Sequence, residues 1–528
     1  MSSVLDPSID RKIRKMNERL LWQHPLLREQ GIDQTRFTLD DGQADDSEFS
    51  FLVIGDSGSG PHSDHHPQRR IAEQMLPHHS ACRFLLHTGD VIYQVGAREQ
   101  YFENFIKPYR EFLLGGTHPD QIPFDRMVFQ RPFLPVLGNH DYYNVPFLYW
   151  LAFQGMRSFY WLTGQKLRID IGWQGSQTGN AFTRAFLDPL KALQRSNQLS
   201  QHLERYYTAP SDTGRCLRYQ PGLFTRLPNR YYTFRYGGID FFALDSSTFN
   251  APSSLPHRQL GDRQLLTDEY QELQHQEQQI REEASHLNLN LPDGAERIDD
   301  LRAKLEQLEE MKLDIEKQLA TPETTDIDIE QLVWLQRRLI ESWRNPEVRG
   351  RIIYFHHPPY VTEITKWHQG QTLAVRHHLR WVLDRVADAV GEQASGRSLV
   401  DLILNGHAHC FEYLRTMDTG HADSHLNWIV CGGSGLSLRR QRPEGAELYE
   451  DMPPTQDSTD LEARLVAKSQ VFVGLSGHKL ERRRPYSFLR IDVKPGCPPT
   501  LIVRPFISER YHQTWSDRAL QPLVLQSS

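Results

Sequence analysis

Short runs of apolar residues recur along the chain from about position 50, and each run ends in a small or polar cluster. Such short, continuous apolar runs are typical of strands that are buried on both faces. The runs are FLVIGD (51–56), RFLLHTGD (83–90), FLPVLGNHD (133–141), IDFFALDSS (239–247), RIIYFHHPP (351–359) and DLILNGHAH (401–409). Stretches with helical spacing lie between several of them, at 68–79, 98–114, 330–344 and 376–390. Buried strands that alternate with helices predict an α/β protein built on a central sheet.

A different periodicity occupies residues 264–320. Leu266, Leu273, Ile280 and Leu287 are spaced seven residues apart, and after a break at 290–294 the apolar positions follow a 3-4 spacing with Lys and Glu between them. This pattern predicts an antiparallel, coiled-coil-like helical hairpin inserted into the α/β domain. Two interpretations are open. The helix pair packs on its own domain, or it projects as an arm that forms a homo-oligomer or binds a partner protein.

The segments outside these patterns set the predicted domain boundaries. Residues 9–30 have roughly helical spacing and predict a short N-terminal helix, and the acidic stretch 40–46 predicts a linker. The predicted parts are an N-terminal helical arm and linker (1–47), the first part of the main domain (48–263), the inserted hairpin (264–325), the second part of the main domain (326–515) and a C-terminal tail (516–528). Within the main domain, we expect an elaborated loop or cap at 155–225 and a flexible loop at 440–468.

Composition narrows the class of protein. A chain of 528 residues with 38% hydrophobic residues has enough material for a large core and is not disordered. No apolar run is long enough to span a membrane, and the net charge of −7 with no basic tail argues against a nucleic-acid partner. The five cysteines form no CxxC pair, which argues against a disulfide scaffold or a zinc finger. The N-terminus lacks the features of a secretory signal, so we expect a cytoplasmic protein.

Side chains that can bind a metal follow five of the six apolar runs. In four of these runs a Gly directly precedes the first such side chain. Ligands in open α/β sheets gather where strands end, at the carboxyl edge. Carboxylate, amide and imidazole groups together suit Fe, Mn, Zn or Co rather than an all-thiolate or a calcium site. One bridging carboxylate can hold two cations about 3.5–4 Å apart, as in phosphoryl hydrolysis. The candidates are Asp56, Asp90, Tyr93, Asn139, His140, His356, His357, His407 and His409.

Five motifs carry a family resemblance. GDSG (55–58), GDVIY (89–93), GNHD (138–141), HHPP (356–359) and GHAH (406–409) occur in the order that is found in calcineurin-like metallophosphoesterases. The GDxG form of the first motif and the Tyr three residues after the second Asp resemble the purple, tartrate-resistant acid phosphatases. The resemblance covers roughly 50–150, 225–250 and 330–440. It implies a four-layer αββα sandwich, with two facing mixed sheets, helices outside and the metals at one edge between the sheets.

The resemblance also implies a role for each residue of the motifs. A first metal would be held by Asp56, Asp90, Tyr93 and His409, and a second by Asp90, Asn139, His356 and His407. Tyr93 implies Fe(III) with a divalent Fe, Zn or Mn ion, and no other cofactor is expected. Three residues are the candidate catalytic groups. They are His140, beside a ligand; His357, where the family often has Tyr or Ser; and His368, the nearest histidine to position 365, where the family's further His is replaced by Thr.

The function implied is hydrolysis of a small phosphate ester, with phosphomonoesters as the first expectation. A hydroxide held between the two cations would attack phosphorus directly. One alternative is a phosphodiesterase that acts on cyclic nucleotides or other diesters, since the same metal pair serves both reactions. An alternative of another class is a non-catalytic scaffold that uses the helical hairpin.

Overall fold

The computed structural model describes residues 4–60, 62, 65–145, 175–194, 198–252, 260–287, 292–320, 326–394, 396–452, 462–478 and 481–525. The helices are α1 (Ile9–Leu20), α2 (Pro25–Glu29), α3 (Pro67–His79), α4 (Asn180–Phe186), α5 (Gln198–Tyr206), α6 (Leu260–Ser285), α7 (Pro292–Ala320), α8 (Ile329–Arg344) and α9 (Gly370–Val390). The strands are β1 (Ile32–Leu39), β2 (Phe49–Ile54), β3 (Leu85–His87), β4 (Phe133–Pro135), β5 (Ala209–Ser211), β6 (Gly214–Tyr219), β7 (Tyr232–Tyr236), β8 (Ile239–Ala243), β9 (Gly350–Phe355), β10 (Leu402–Asn405), β11 (Phe411–Thr416), β12 (Asn427–Cys431), β13 (Glu447–Met452), β14 (Glu462–Val473), β15 (Arg483–Val493), β16 (Leu501–Tyr511), β17 (Thr514–Ala519) and β18 (Leu523–Leu525).

The strands form two mixed sheets. One sheet has eleven strands in the order β13-β14-β11-β12-β10-β9-β8-β7-β1-β6-β5, and the other has the order β17-β16-β15-β2-β3-β4, with β18 on β16. Strands β8, β9, β10 and β12 are parallel neighbours in the first sheet, and β2, β3 and β4 are parallel in the second. Parallel neighbours end at a common edge, so each sheet presents several strand ends side by side.

The two sheets face each other across an aromatic core. The ring of Phe51 in β2 lies edge-on to that of Phe241 in β8, and Phe84 meets both Phe234 and Phe241 in the same way. Helix α3 packs on the outer face of the smaller sheet, against β15 and β16. Helices α8 and α9 bury their apolar positions against the outer face of the larger sheet. The four-layer αββα arrangement expected from the sequence is therefore confirmed.

Several segments differ from the sequence expectation. The stretch 98–114 is not an α-helix but a series of short 3₁₀ and π turns, and Pro108, which lacks the N–H that a continuing helix needs, lies between the π turn and the last 3₁₀ turn. The arm and linker contain a full strand, β1, which pairs with β6 and β7. The C-terminal tail contributes part of β17 and all of β18, and the loop expected at 440–468 contains β13 and the start of β14. Parts of the predicted segments, at 155–174, 195–197, 288–291, 321–325, 453–461 and 526–528, lie outside the described residues.

Helices α6 and α7 lie side by side and run in opposite directions. Glu283 near the end of α6 pairs with Arg297 near the start of α7, whereas Tyr270 early in α6 bonds to Glu316 late in α7. Their apolar positions, Leu273, Leu308 and Ile315 among them, form a small core of their own.

Helix α7 also packs on the rest of the protein. Asp300 forms ion pairs with Arg482 and Arg484, and Asp314 accepts from the backbone N–H groups of Gly370 and Gln371. These contacts agree with the first interpretation of the pattern, in which the helix pair packs on its own domain. Within the ranges given above, none of the helices combines the length and apolar character that crossing a membrane requires.

Candidate metal centre

Loops at the carboxyl ends of β2, β3, β4, β9 and β10 bring the seven predicted ligand residues together. Each of the seven is at most 2% exposed. Side chains of this polarity are rarely buried without partners or a cation. The seven are Asp56, Asp90, Tyr93, Asn139, His356, His407 and His409.

The first group of donors surrounds the hydroxyl of Tyr93. This hydroxyl lies 2.8 Å from Oδ1 of Asp56 and 2.7 Å from Oδ2 of Asp90. Nε2 of His409 is 3.4 Å from the same hydroxyl and 3.7 Å from Oδ1 of Asp56. Two carboxylates, a phenol and an imidazole thus point at a single small volume.

The second group shares Asp90 with the first. Nε2 of His356 lies 3.0 Å from Oδ1 of Asn139 and 3.1 Å from Oδ2 of Asp90. The ring of His407 is 5.0 Å from that of His356, centroid to centroid. The same oxygen of Asp90 therefore faces both groups, which is the geometry that a bridging carboxylate needs.

Hydrogen bonds behind the cluster fix which ring nitrogens face it. Nδ1 of His356 donates to the carbonyl of Thr88 at 2.9 Å, and Nδ1 of His409 donates to the carbonyl of Ser437 at 3.0 Å. A carbonyl can only accept, so Nδ1 carries a proton in both rings and Nε2 is the nitrogen that faces the cluster. Histidines that bind metals are oriented in this way by a second partner.

The backbone at the cluster is tightly constrained. Asp56, Asp90 and His407 have positive φ values of 53°, 56° and 64°, a conformation that costs non-glycine residues free energy and that is concentrated at functional sites. A Cβ on Gly138 would lie 2.0 Å from Oδ1 of Asp90, and one on Gly406 would lie 2.6 Å from Oδ2 of Asp56. The glycines that precede the ligands in the sequence are needed for this close approach.

We expect the variant Gly138→Ala to lose bound metal, because its Cβ would displace the Asp90 carboxylate. The overpacking should also lower the free energy of unfolding by about 1–3 kcal/mol. Gly445→Ala is a matched control, since Gly445 has φ of +93° but no atom within 4 Å of a built Cβ, so it loses a similar stability through backbone strain alone. Elemental analysis and thermal unfolding of both variants check this. Equal metal content in the two variants would contradict it.

Charges inside the cluster compensate one another. Burial, together with the neighbouring charge of Asp90, raises the pKa of Asp56 to about 8. Burial also opposes ionisation of Asp90, but the charges of His356 and His140 outweigh it and hold the pKa of Asp90 below its usual range. For His356, burial is outweighed by Asp90 and Asp56, and its pKa rises to about 9. The ionised form of these buried carboxylates is therefore stabilised only when positive charge lies beside them.

The donor set fits a metal site. Ligand atoms of Asp56, Asp90 and His356 all lie within 4.8 Å of one another. The donors are oxygen and imidazole nitrogen with no thiolate among them, which suits the harder first-row transition metals. Which residue binds which ion stays a prediction.

The three predicted catalytic histidines are placed differently. His140 lies at the cluster, with its ring centroid 4.2 Å from that of Tyr93 and its Nδ1 donating to the carbonyl of Gln94. His368 lies beside Trp367, and the charges that act on it are those of Arg442 and Glu444 first. The structure therefore brings His140 to the cluster but not His368.

His357 lies in the wall of the site. Its ring centroid is 4.6 Å from that of His407, but both of its nitrogens have partners. Nδ1 is 2.8 Å from Oγ of Ser246, and Nε2 accepts from the amide of Asn250 at 3.2 Å. A ring held on both sides supports its neighbours and has no free nitrogen for substrate.

Three residues at the site were not predicted. Nζ of Lys366 and Nε2 of Gln371 each lie 3.1 Å from Nε2 of His407, and Oε2 of Glu310 lies 2.7 Å from Nζ of Lys366. Lys366 follows position 365, where the resemblance implies a histidine, and that missing histidine is the one signal in the sequence that points to this place. Glu310 belongs to α7, where Glu residues between apolar positions carry no signal of their own.

The αββα sandwich, with carboxylate, amide and imidazole groups at one edge between its sheets, is consistent with a metallophosphoesterase fold. Residues 49–268 match the family model of calcineurin-like phosphoesterases. Over this part of the chain, the match confirms the family resemblance that the motifs carry.

Other comparisons show only a general likeness. No curated protein matches the chain. Among solved structures it is similar to a purple acid phosphatase from yellow lupin seeds, with 11% identity, a TM-score of 0.40 and coverage of 90% of this chain and 54% of that one. It is also similar to GAP50, an anchor in the inner membrane complex of Plasmodium (11% identity, TM-score 0.38, coverage 91% and 89%), and to PhoD (10% identity, TM-score 0.36, coverage 91% and 72%). The chain thus spans about half the length of the lupin phosphatase, and TM-scores this low carry no functional argument.

Proposed function

We propose that the protein is a dinuclear-metal phosphoesterase that hydrolyses phosphate monoesters. One observation carries this proposal: Oδ2 of Asp90 lies 2.7 Å from the hydroxyl of Tyr93 and 3.1 Å from Nε2 of His356, so a single carboxylate oxygen serves both donor groups. A carboxylate shared between two donor groups can hold two cations at the separation of about 3.5–4 Å that two-metal hydrolysis uses.

The proposed ligands divide as the motifs imply. Asp56, Asp90, Tyr93 and His409 would hold one cation, and Asp90, Asn139, His356 and His407 the other. We propose Fe(III) with a divalent Fe, Zn or Mn ion, as the resemblance to the purple acid phosphatases implies for a group of ligands that includes Tyr93. When bound, such cations supply Lewis acidity and lower the pKa of water toward neutrality.

His140 is the proposed proton donor or phosphate brace. Its backbone N–H donates to Oδ1 of Asp90 at 2.9 Å, which ties its position to the bridging carboxylate. Its Nδ1 is held by the carbonyl of Gln94, and its buried Nε2 has no hydrogen-bond partner among the described residues. The charges of Asp90 and Glu310 outweigh burial and raise the pKa of His140 to about 9, so Nε2 also carries a proton that a leaving-group oxygen or a phosphoryl oxygen can accept.

Metal analysis combined with a substrate panel tests the function. We expect two metal ions per chain, a broad visible band from Tyr93 on iron, and faster hydrolysis of an aryl phosphomonoester than of the matching diester. Removing the metals with a chelator should lower the rate by at least about a thousandfold, because metal-ion catalysis contributes several kcal/mol. Adding metal back should restore the rate and so exclude irreversible unfolding.

Each result bears on a different part of the proposal. A colourless, active protein with two Zn or Mn ions would overturn the iron assignment and leave the hydrolase in place. Faster cleavage of the diester would favour the diesterase. A chain that binds no metal, or that hydrolyses neither ester when loaded, would contradict the proposed function.

A further inference from the structure

Helix α7 carries a row of acidic side chains on the face that packs against the main domain. Glu306, Glu310 and Asp314 are four residues apart and so lie on one face of the helix. Glu306 accepts from the side chain of Gln94 at 2.8 Å, and Asp314 accepts from the backbone of Gly370 at 2.8 Å. These outer two anchor the helix, and Glu310 between them reaches the site itself.

Glu310 is paired with a buried lysine. The side chain of Lys366 is 1% exposed, and that of Glu310 is 10% exposed. Nζ of Lys366 lies 2.7 Å from Oε2 of Glu310 and 3.1 Å from Nε2 of His407, one of the proposed metal ligands. A fully buried lysine needs an anion beside it, and here a distant segment of the chain supplies that anion.

Other positive or donor groups surround the same carboxylate. Nε2 of His140, which has no hydrogen-bond partner among the described residues, lies 3.7 Å from Oε1 of Glu310. Arg439 donates through Nη1 to the carbonyl of Ala303 on α7 and has a buried Nη2 that lacks a partner in the described part of the chain. Burial would raise the pKa of Glu310, but Lys366, His140 and Arg439 together hold it well below its usual value. The groups around Glu310 thus form a binding place for an anion.

We propose that Lys366 binds a phosphoryl oxygen of the substrate, and that Glu310 occupies this position as an internal competitor that phosphate displaces. This inference rests on the proposed function, since it takes the neighbouring cluster to be the place where the phosphorus is attacked. Lys366 is then a specificity residue that contacts substrate. Because Glu310 belongs to α7, its displacement by phosphate couples substrate binding to the contact between α7 and the site.

The competition favours monoesters. The carboxylate carries one negative charge, and an incoming group must replace its interaction with Lys366. The terminal phosphoryl group of a monoester carries close to two negative charges at neutral pH and three strong acceptor oxygens, whereas a diester carries one charge. A dianion therefore displaces Glu310 more readily than a diester does.

Binding of inorganic phosphate to the full-length, metal-loaded protein tests the inference by calorimetry, with metal content measured for every variant. Glu310→Gln removes the competing charge, and we expect its Kd for phosphate to fall about tenfold, equivalent to about 1.4 kcal/mol. Lys366→Gln removes the cation, and its Kd should rise at least about tenfold, with Lys366→Arg recovering part of the loss. In the double variant Glu310→Gln/Lys366→Gln, removing Glu310 should no longer lower the Kd for phosphate, because Glu310 competes with phosphate only for Lys366.

The pair Glu277–Lys312 provides the matched control. It is also a Glu–Lys pair of the hairpin, but it links α6 to α7 away from the cluster. Lys312→Gln should leave the Kd for phosphate unchanged. If Lys366→Gln does not fold, the fall in Kd for Glu310→Gln still decides the matter.

The outcomes separate the inference from the proposed function. An unchanged or raised Kd in Glu310→Gln, or the same gain with and without Lys366, would overturn the inference even if the protein hydrolyses esters. If Kd falls in Glu310→Gln and rises in Lys366→Gln, but the protein hydrolyses no ester, the anion site is supported and the proposed function is rejected. Absence of phosphate binding in the wild type and in Glu310→Gln would overturn the inference.

Discussion

Replacing Asp90 with asparagine is expected to reduce kcat/KM for an aryl phosphate by about three to four powers of ten, because metal-ion catalysis contributes several kcal/mol and each 1.36 kcal/mol is a factor of ten. The substitution keeps the size of the side chain and removes its charge. Oδ2 of Asp90 is the atom that faces both donor groups, so both proposed ions lose a ligand at once. Steady-state kinetics at saturating metal, with elemental analysis of the same sample, measures the effect.

Asp492 offers a matched control for this substitution. It is also a buried aspartate, but it lies in β15 and pairs with Arg490 and Arg504 rather than with the cluster. Asp492→Asn should cost some stability and leave metal content and kcat/KM unchanged. An Asp90→Asn protein with two ions and wild-type turnover would show that the shared carboxylate is not needed, and the dinuclear proposal would fail.

The convergence of the seven candidate ligands could be expected from the sequence because of a rule about strand ends. Each candidate follows a short apolar run, and parallel strands place their carboxyl ends at one edge. The runs that begin at 51, 351 and 401 correspond to β2, β9 and β10 within a few residues. Local pattern and sheet geometry agree here, so distant residues meet without any knowledge of the intervening loops.

The composition of the site around those ligands could not be predicted in the same way. Lys366 meets Glu310 across 56 positions of sequence, and the contact depends on how α7 docks across the main domain. A heptad pattern specifies which face of a helix packs on its partner, but it does not specify what the opposite face covers. The hairpin pattern therefore predicted helices and left both interpretations of their position open.

Strand β1, which lies between β7 and β6 in the larger sheet, was also missed. β1 carries polar residues at several buried positions. Asp33 and Thr35 can be buried there because they accept hydrogen bonds from Arg338 and Trp334 of α8 rather than from water. A pattern argument treats such residues as exposed and assigns the segment to a linker. Buried polar networks of this kind are specified by long-range partners, which a single sequence does not reveal.

The second large effect is expected in the fold beneath the site, at Arg230. Its side chain is 1% exposed and forms ion pairs with Asp245, which follows β8, and Asp328, which caps α8. Asp245 also accepts from the hydroxyl of Tyr142 at 2.6 Å, in the loop that carries Asn139 and His140. The Arg230 guanidinium therefore joins three elements that position the cluster.

Arg230→Met should lower the free energy of unfolding by about 3–5 kcal/mol, since it leaves two buried carboxylates without their cation. Adding Asp245→Asn and Asp328→Asn to the same chain should recover part of the loss, because the uncompensated charges are then removed. Arg235→Met is the control, since Arg235 is 25% exposed and its pairs are worth about 1 kcal/mol or less. Urea unfolding of the four proteins measures these differences. A loss in Arg230→Met no larger than that in Arg235→Met would mean that the buried carboxylates find other partners, and that the loop carrying His140 does not depend on this arginine.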